Sequence, residues 1–552
     1  MHEDLEQQAR AWLIHDPDPH TRAELTALLD PLDEDALRER FAHKLEFGTA
    51  GLRGELGAGP NRMNRVTVMR AATGLARVLG PNKHVVIGYD GRHNSDIFAR
   101  DTATVLARAG LKAAILPGLL PTPVLAFAVR HLGADAGVMV TASHNPPRDN
   151  GFKVYWSDGS QIAAPVDKEI SAAIDSVDLA SQPLQSSSDR LTWTQLGQEI
   201  ITAYLDAITA LPLGTARDLT IAYTPLHGVG AATLTAAFLS AGFTAPAILE
   251  AQATPDPNFP TVVFPNPEEP GAMDLVLELA GRLGADIVLA NDPDADRCAV
   301  GVALPDGRYR MLTGDEVGGL LAEYVIQHTA GDARLVATTI ASSSLLAKIA
   351  SAHGVRYAET LTGFKWIMKA DDGRGPRTLV FGYEEALGYS AGTDAGPPVC
   401  DKDGISAALL LAGMAAQAKE EGRTLLDYLD DQARRYGLHA TSQLTVRVDN
   451  PSFIEGAMAR LRAAPPARLG GRAVQAIEDL NHGVGGLPPT EGLRCRLSGD
   501  ARVVVRPSGT EPKLKCYLEV VIPVTGEICE ARARATGDLD AIKVDISAAL
   551  GL

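Results

Sequence analysis

The chain has 552 residues, of which 45% are hydrophobic and 22% are charged, and its formal charge at pH 7 is −17. A chain of this length is too long to fold around a single hydrophobic core, and a typical domain size of ~150 residues predicts about four domains. The composition excludes extensive disorder, and the acidic surplus argues against nucleic acid or anionic membrane as a partner, so an anionic substrate would need a local cluster of basic side chains.

The cysteines and the N-terminal residues indicate in which cellular compartment the protein is expected. Five scattered cysteines without a CxxC pair predict neither a disulfide framework nor a zinc ribbon. The first residues, "MHEDLEQQAR", are acidic and lack the apolar segment of a signal peptide. The most apolar stretch, "GISAALLLAGMAAQA", is too short to span a bilayer. We therefore expect a cytoplasmic protein without a membrane partner.

In chain order, residues 1 to about 45 come first, and their leucines and alanines at helical spacing predict helices. A strand, a polar loop and a helical segment then recur along the chain. The strand-and-loop parts are "HVVIGYDGRHNSD", "AGVMVTASHNP", "LTIAYTPLHGVG", "ADIVLANDPDADR" and "TLVFGYEEALGY". Such apolar runs are typical of strands covered by helices on both faces, which predicts several α/β units. Ligands of these sheets bind beyond the carboxyl ends of strands, where the polar loops fall.

Past about residue 440 the pattern changes. The segments "SQLTVRVDN" and "LKCYLEVVIPV" alternate like half-exposed strands, and "FIEGAMARLRAA" has the spacing of an amphipathic helix. We therefore predict a smaller α+β domain at the C-terminus.

The loop "NDPDADR" predicts a metal site. It places Asp292, Asp294 and Asp296 at alternate positions directly after the strand "DIVLA". Three carboxylates repel one another unless a cation neutralises them, and ligands that are all oxygen favour a hard ion such as Mg²⁺. The loop lacks the glycine and glutamate of an EF-hand calcium loop. A solvated acidic turn remains the alternative.

The loop "RPSGTEPK" favours phosphate binding. Arg506, Ser508, Gly509 and Thr510 supply a guanidinium, two hydroxyls and backbone N–H groups, which together suit a phosphate dianion. An ordinary Pro-Ser-Gly turn is the alternative. Arg502 and Lys515 lie close in sequence and favour the phosphate interpretation.

Other segments resemble known motifs without fulfilling them. The glycine-rich "FGTAGLRGELGAGPNRMN", which carries Arg53, is a weak phosphate signal alone. The segment "HGVGAATL" begins like a dinucleotide fingerprint, but Thr233 stands in place of the third glycine, so we expect no NAD site. No Gly-Lys dipeptide occurs, which excludes a Walker A loop. "GYSAG" matches the nucleophile elbow of serine hydrolases, yet "EEAL" before it and "TDAGPP" after it do not supply the required strand and helix.

The stretch "TASHNPPRDNGFKVY" combines a serine, a histidine and a lysine. Ser143 and His144 follow the predicted strand "VMV", and Lys153 comes ten residues after the serine. A serine hydroxyl is a poor nucleophile and needs a base or a metal. A serine that carries phosphate would use both the acidic metal loop and the basic phosphate loop. The alternative is an Asn-Pro turn with a capping serine.

Four of these motifs together resemble a known family. "TASHNP", "DPDADR", "GYEEALGY" and "RPSGTEPK" occur in the order found in the α-D-phosphohexomutases, the phosphoglucomutase/phosphomannomutase superfamily, and span residues from about 45 to 520. The resemblance implies an α/β fold of three consecutive α/β/α domains with mixed sheets and a C-terminal TBP-like α+β domain around a central cleft. The expected boundaries are 1–205, including a helical extension and the phosphoserine loop, 206–310 with the metal loop, 311–435 with the sugar loops, and 436–552 with the phosphate loop.

The resemblance also implies a role for each matching residue. Ser143 would be the phosphoserine and would complete the coordination of Mg²⁺ with Asp292, Asp294 and Asp296. Around the transferring phosphate, Arg297 would steady the phosphoryl group beside Arg53, with Lys153 as general acid/base and His144 as the second candidate. The residues expected to bind substrate are Thr362, Gly363, Lys365 and Glu384 at the sugar, and Arg506, Ser508, Gly509, Thr510 and Lys515 at the other phosphate.

The implied reaction interconverts glucose 1-phosphate and glucose 6-phosphate through a phosphoserine enzyme, with a bisphosphate such as glucose 1,6-bisphosphate as intermediate and activator. The expected partners are small sugar phosphates, and the expected state is a monomer or weak homodimer.

Many members have a serine where this chain has Ala386. Together with "FGTAGLRG" and the helical extension, this resembles the branch of phosphoglucomutase-2 and phosphopentomutase-type enzymes, so pentose and mannose phosphates stay open as substrates. An inactive sugar-phosphate binder would be expected to lose Ser143 or one of the three aspartates, and all are present.

Overall fold

The computed structural model describes residues 2–30, 32–48, 51–177, 193–448, 452–507 and 513–551. They form two compact units. The first comprises Met1–Met311 and Pro398–Gly413, and the second comprises Leu312–Pro397 and Met414–Leu552. Within the described ranges, no helix combines the length and the apolar character needed to cross a bilayer.

The first unit begins with three helices, α1 (His2–His15), α2 (Pro19–Leu29) and α3 (Glu34–Phe41). The last two start at aspartate caps, whose carboxylates accept backbone N–H groups of the first turn. These helices pack around a small core that includes an edge-to-face contact of Trp12 and Phe41. The predicted helical N-terminal segment is therefore confirmed.

The first sheet has six strands in the order β1-β5-β4-β2-β3-β6. Its strands are β1 (Leu52–Glu55), β2 (His84–Tyr89), β3 (Lys112–Leu119), β4 (Ala136–Val140), β5 (Asp149–Trp156) and β6 (Thr194–Gln195). Its helices are α4 (Arg65–Leu79), α5 (Ser95–Arg108), α6 (Thr122–His131) and α7 (Val166–Asp175). β4, β2, β3 and β6 run parallel, whereas β5 and β1 add antiparallel pairs. β4 is buried along its whole length and ends directly before the serine loop.

The second sheet has the order β11-β10-β9-β7-β8 and is also mixed. Its strands are β7 (Ile221–Thr224), β8 (Ala247–Ile248), β9 (Ile287–Ala290), β10 (Ala299–Ala303) and β11 (Tyr309–Met311). The helices of this part are α8 (Glu199–Thr209), α9 (Gly230–Ser240) and α10 (Asp274–Leu283), with a 3₁₀ turn at Glu250–Gln252. β9 is fully buried and leads straight into the aspartate loop.

The second unit contains the third sheet, in the order β13-β12-β14-β15. Its helices and strands are α11 (Gly314–Gln327), β12 (Arg334–Thr339), α12 (Leu345–Ala352), β13 (Arg356–Thr360), α13 (Phe364–Met368), β14 (Thr378–Glu384), β15 (Gly388–Ala391), α14 (Gly404–Glu420) and α15 (Leu425–Tyr436). The residues of α14 up to Gly413 belong to the first unit. Ser390 of "GYSAG" lies inside β15 and pairs across the sheet with Gly382, which is not the strand-turn-helix setting of a nucleophile elbow.

The C-terminal sheet is wholly antiparallel, in the order β16-β21-β20-β19-β18-β17. Its elements are β16 (Leu438–Arg447), α16 (Ser452–Ala463), β17 (Arg468–Leu469), β18 (Arg472–Asp479), a 3₁₀ turn (Leu480–His482), β19 (Leu493–Leu497), β20 (Arg502–Pro507), β21 (Lys513–Ile522) and α17 (Ile528–Leu550). Both helices share one core with the strands. Three domains with mixed sheets and helices, followed by an α+β domain, confirm the predicted fold class.

Candidate active site

The Ser143 loop joins β4 to β5 in a strained conformation. Ser143 has a φ of +52°, in the left-handed region that residues other than glycine seldom adopt. Its N–H donates to Thr141 Oγ1 over 2.8 Å. Because such strain persists only where the surroundings enforce it, the loop must be held by many contacts.

Arg92 supplies most of those contacts. Its buried guanidinium donates to the carbonyl oxygens of Ser143, Asn145, Pro146 and Asp149 over 2.5, 2.6, 2.8 and 3.0 Å. Arg92 is absent from the sequence-based predictions. The only available signal was its place in the polar loop after β2, one of the strand ends where function is expected.

The three aspartates form a buried cluster. One carboxylate oxygen from each of Asp292, Asp294 and Asp296 lies within 4.8 Å of the others. Burial, together with the charges of Asp294 and Asp296, raises the pKa of Asp292 well above its usual value. Oδ1 of Asp294 and Oδ1 of Asp296 are buried and have no hydrogen-bond partner among the residues that the structure describes. Because desolvated carboxylate oxygens without donors are costly, this all-oxygen set fits a hard cation such as Mg²⁺.

Ser143 and His144 lie against this cluster. Ser143 Oγ donates to Asp292 Oδ2 over 2.6 Å and lies 3.2 Å from His144 Nδ1. Burial, with the positive charges of Arg297 and Arg53, lowers the pKa of His144 well below its usual value. A neutral imidazole at this distance can exchange a proton with a serine oxygen.

Two lysines and a threonine face the other aspartates. Lys153 Nζ donates to Asp294 Oδ2 over 2.7 Å and to Asp296 Oδ2 over 3.2 Å, and Thr122 Oγ1 donates to Asp294 Oδ2 over 2.7 Å. Burial would raise the pKa of Asp294, but Lys153 and these hydrogen bonds outweigh it and hold that pKa well below its usual value. Lys402 Nζ lies 3.4 Å from Asp296 Oδ2.

Lys402 is the second residue that sequence-based prediction missed. It belongs to "CDKDG", directly before α14, and two anchored aspartates flank it. Asp401 accepts the hydroxyl hydrogen of Tyr155 over 2.8 Å, and Asp403 accepts that of Tyr204 over 2.9 Å. These bonds fix the segment from which Lys402 reaches the metal loop. The charged residues ahead of an apolar helix were visible in the sequence, but their spatial partners were not.

Glycines allow other chain segments to approach the aspartate loop closely. A Cβ on Gly228 would lie 2.3 Å from the Cα of Pro293, and one on Gly404 would lie 2.2 Å from the carbonyl oxygen of Arg297. The N–H of Val229 also donates to the Pro293 carbonyl over 2.9 Å. The glycines of "HGVG" that resemble a dinucleotide fingerprint are therefore needed to pack against the aspartate loop.

Both predicted arginines of the first unit lie beside these loops. Arg53, in β1, donates to Asn145 Oδ1 over 3.4 Å, and its Nε is buried and finds no hydrogen-bond partner in the part of the chain that the structure describes. The N–H of Arg297 donates to Asp292 Oδ1 over 3.1 Å, and its Nε lies 3.9 Å from both Asp292 and Asp296. The structure thus brings the predicted residues of the first unit together.

The predicted sugar-binding residues lie in the second unit. Thr362 and Gly363 follow β13, and Lys365 is buried in α13 with its Nζ 5.5 Å from the centre of the Trp366 ring. Glu384 ends β14.

The next residue, Glu385, is held within the same domain. Its carboxylate accepts hydrogen bonds from Ser342 Oγ over 3.0 Å and from Thr339 Oγ1 over 3.2 Å. Glu385 therefore helps to hold the turn between β14 and β15 in place.

The predicted phosphate loop is described only in part. Arg506 in β20 pairs across the sheet with Lys515 in β21, and the Nε of Arg506 is buried with no hydrogen-bond partner in the described ranges, which omit residues 508–512. Ser508, Gly509 and Thr510 lie outside the described residues. Arg502, expected to favour phosphate, is instead engaged with two acids, donating to Glu519 over 2.6 Å and to Glu359 over 3.4 Å.

Comparisons with known proteins agree with this organisation. Sequence profiles of the phosphoglucomutase/phosphomannomutase family match the chain in four successive parts. The alpha/beta/alpha domains I, II and III match residues 44–181, 202–304 and 313–436, and the C-terminal domain matches residues 446–524.

Three relatives illustrate the range of names in the family. A protein of Haemophilus influenzae named probable phosphomannomutase is 43% identical over 83% of this chain and 93% of its own length. A phosphoglucomutase of Staphylococcus aureus is 35% identical over 89% and 92%. A phosphopentomutase of Mus musculus is 34% identical over 94% and 90%. The chain therefore belongs to the phosphoglucomutase/phosphomannomutase family of phosphohexomutases.

Proposed function

We propose that this mutase interconverts glucose 1-phosphate and glucose 6-phosphate through a phosphorylated Ser143 and a bisphosphorylated sugar. The observation that carries the proposal is the position of Ser143 Oγ, 2.6 Å from Asp292 in a buried cluster of three carboxylates. His144, Lys153 and Arg53 surround the same loop. Few arrangements other than phosphoryl transfer need a hydroxyl, a cation site and several basic side chains at one point.

The three aspartates would hold Mg²⁺, together with an oxygen of the Ser143 phosphate. Two of their buried oxygens have no hydrogen bond within the described part of the chain, which leaves them available as ligands. A bound Mg²⁺ would supply charge neutralisation for the phosphoryl group. Lys153 and Lys402 add positive charge on the other side of Asp294 and Asp296.

Each half of the reaction exchanges one phosphorus–oxygen bond for another. In the first half, the bond between phosphorus and Ser143 Oγ breaks while a bond to a sugar hydroxyl oxygen forms, and the hydroxyl proton passes to a general base. After the bisphosphate turns over, its other phosphoryl group returns to Ser143 and the freed sugar oxygen regains a proton. His144 Nδ1 lies 3.2 Å from Ser143 Oγ and suits proton exchange there, whereas Lys153, bonded to Asp294, is our candidate for proton exchange with the sugar oxygen.

The residues that we propose to bind the sugar and the second phosphate belong to the second unit. Arg506, Ser508, Gly509, Thr510 and Lys515 would bind the phosphate that is not transferred, and Thr362, Gly363, Lys365 and Glu384 would bind the sugar. Because the bisphosphate must be accepted in two orientations, its phosphate contacts should be strong and its hydroxyl contacts adaptable. We retain the four-part division at residues 205, 310 and 435, the bisphosphate activator, and the monomer or weak homodimer as parts of this proposal.

Pentose and mannose phosphates are the second candidate substrates. Relatives of comparable coverage are named phosphopentomutase and probable phosphomannomutase. Ala386 removes a hydroxyl from the sugar loop, which would loosen discrimination between sugars.

A substrate panel tests the choice. The purified protein would receive glucose, mannose, ribose and glucosamine phosphates, each with a trace of the matching bisphosphate, and ³¹P NMR would follow isomerisation. We expect the highest kcat/KM for glucose 1-phosphate. If kcat/KM is higher for a ribose or mannose phosphate, that sugar phosphate and not glucose 1-phosphate is the preferred substrate. If none of the sugar phosphates is isomerised, the proposed function is overturned.

A further inference from the structure

The first unit contains a cavity lined by residues that the proposed mechanism does not use. It has a volume of about 350 Å³ and lies between the segment Lys44–Phe47, helix α4 and helix α7. Leu45, Phe47, Leu52 and Ile174 form its nonpolar lining. Cavities of this size accommodate small organic ligands.

Arg70 brings a guanidinium to this cavity. On α4 it shares a helix face with Thr67 and Gly74, at positions i−3 and i+4, and this face packs against α7. A Cβ on Gly74 would lie 2.4 Å from a side-chain carbon of Ile174, so the two helices are as close as a glycine permits. Arg70 therefore lies one turn from this close contact, where it is half-buried and lines the cavity.

The guanidinium of Arg70 is incompletely partnered. Its Nε is buried and has no hydrogen-bond partner within the described part of the chain. Asp175, whose charge acts on Arg70, already forms an ion pair with Lys44, and Glu46 is exposed to solvent. Burial lowers the pKa of Arg70, which reflects a poorly solvated positive charge. A desolvated guanidinium favours an acceptor that can take two of its parallel N–H bonds.

We propose that this cavity binds a small organic anion, whose carboxylate or phosphate group contacts Arg70 and Ser171 while its nonpolar part packs on Leu45, Phe47 and Ile174. Arginine matches both anions because its planar fork aligns with their oxygens. The nonpolar lining distinguishes the preferred ligand from inorganic phosphate or a bare sugar phosphate, which have no surface to bury there. Leu52, which lines the cavity, directly precedes Arg53 in β1, so the ligand would lie near a residue of the proposed active site.

Crystals of the full chain soaked with 4-bromobenzoate or 4-bromophenyl phosphate provide the direct test, because bromine is located by anomalous scattering. We expect the bromine among the nonpolar residues and the anionic group at Arg70, with at least one probe. Binding of one probe alone identifies the preferred head group. Absence of both from the cavity at about 10 mM, a concentration that detects millimolar affinity, overturns the proposal.

Solution binding with matched variants adds an independent readout. Titration of ¹⁹F-labelled 4-fluorobenzoate and 4-fluorophenyl phosphate should show an affinity reduced about tenfold or more in Arg70→Gln and partly restored in Arg70→Lys. Arg77→Gln, on the same helix but exposed and bonded to Ser176, is the control and should bind as the unmodified chain does. Saturating glucose 1,6-bisphosphate should leave binding unchanged. Displacement by the bisphosphate, or equal affinity of Arg70→Gln, would contradict a separate site.

Discussion

Two buried acidic clusters in this protein differ in how completely their oxygens are bonded. In the first unit, Asp294 and Asp296 each keep a buried oxygen without a hydrogen bond in the described part of the chain. In the second unit, Glu519 accepts hydrogen bonds from Arg502, Ser343 and His439 over 2.6, 2.6 and 3.1 Å.

The pKa directions in the two clusters follow from the charges that surround each carboxylate. Although burial alone would raise the pKa of Glu519, Arg502 and His439 lower it to about 2. The pKa of Asp292 instead rises well above its usual value through burial and the neighbouring aspartates. Acidic side chains whose charge is neutralised by basic groups of the protein stabilise the fold. Acidic side chains that repel one another are suited to bind a cation.

The two serines bonded to these clusters give the sharpest contrast. Ser143 and Ser343 each donate to a buried carboxylate over 2.6 Å. We expect Ser143→Ala to lower kcat by at least about 10⁴-fold with little change in Tm, because it removes the phosphorylated oxygen. Ser343→Ala should keep activity and lose about 1–2 kcal/mol of unfolding free energy. Steady-state kinetics and thermal melts would measure both, and an active Ser143→Ala would refute the nucleophile assignment.

Removal of an acidic charge should have opposite effects on stability in the two clusters. Asp292→Asn should lower activity about 10³-fold, and EDTA should inactivate the unmodified enzyme until Mg²⁺ is restored. Without metal, the Tm of Asp292→Asn should not fall, because burial and the neighbouring aspartates disfavour the charged form of Asp292. Glu519→Gln should instead cost about 3 kcal/mol, because it leaves the buried Arg502 with only the longer ion pair to Glu359. Indifference of the unmodified enzyme to EDTA would count against the metal site.

Arg92 offers a smaller, geometric test of the first region. Arg92→Lys should lower kcat about 10- to 100-fold while KM changes little, because a single ammonium cannot bond four carbonyls of the Ser143 loop. The control Arg502→Lys lies in the second cluster, and its main loss should appear in Tm. A rise of KM alone in Arg92→Lys would reassign Arg92 to substrate binding.

The pH dependence of stability should separate two acids of the second unit. Glu519 has a lowered pKa, about 2, so its stabilisation is present above its ordinary pKa of 4.5 and is lost as pH falls towards 2. Burial raises the pKa of Asp315 to about 7, so its contribution is present below 3.8 and is lost as pH rises through 7. Urea melts across pH should show that Glu519→Gln flattens the loss of unfolding free energy at acid pH, and that Asp315→Asn flattens the decrease of unfolding free energy between pH 4 and 7. The same slopes in both variants would contradict these assignments.

Sequence predicts best where one chain segment carries the whole signal. The fold class and the aspartate loop follow from apolar runs that end in polar loops, since β9 is a continuous buried strand before Asp292. Arg92 and Lys402 escape prediction because their partners lie far along the chain and are fixed only by tertiary packing. Arg502 was expected to favour phosphate binding because it lies close to "RPSGTEPK" in the sequence. Its ion-pair partner Glu359 lies far away in the sequence, so the pairing could not be predicted.

The most direct test of the central claim locates the covalent phosphate. The enzyme would be incubated with glucose 1,6-bisphosphate and Mg²⁺, and its intact mass and proteolytic peptides would then be measured. We predict one phosphoryl group, carried by the peptide that contains Ser143 and absent from Ser143→Ala. Phosphate on any other residue of active enzyme would contradict the account.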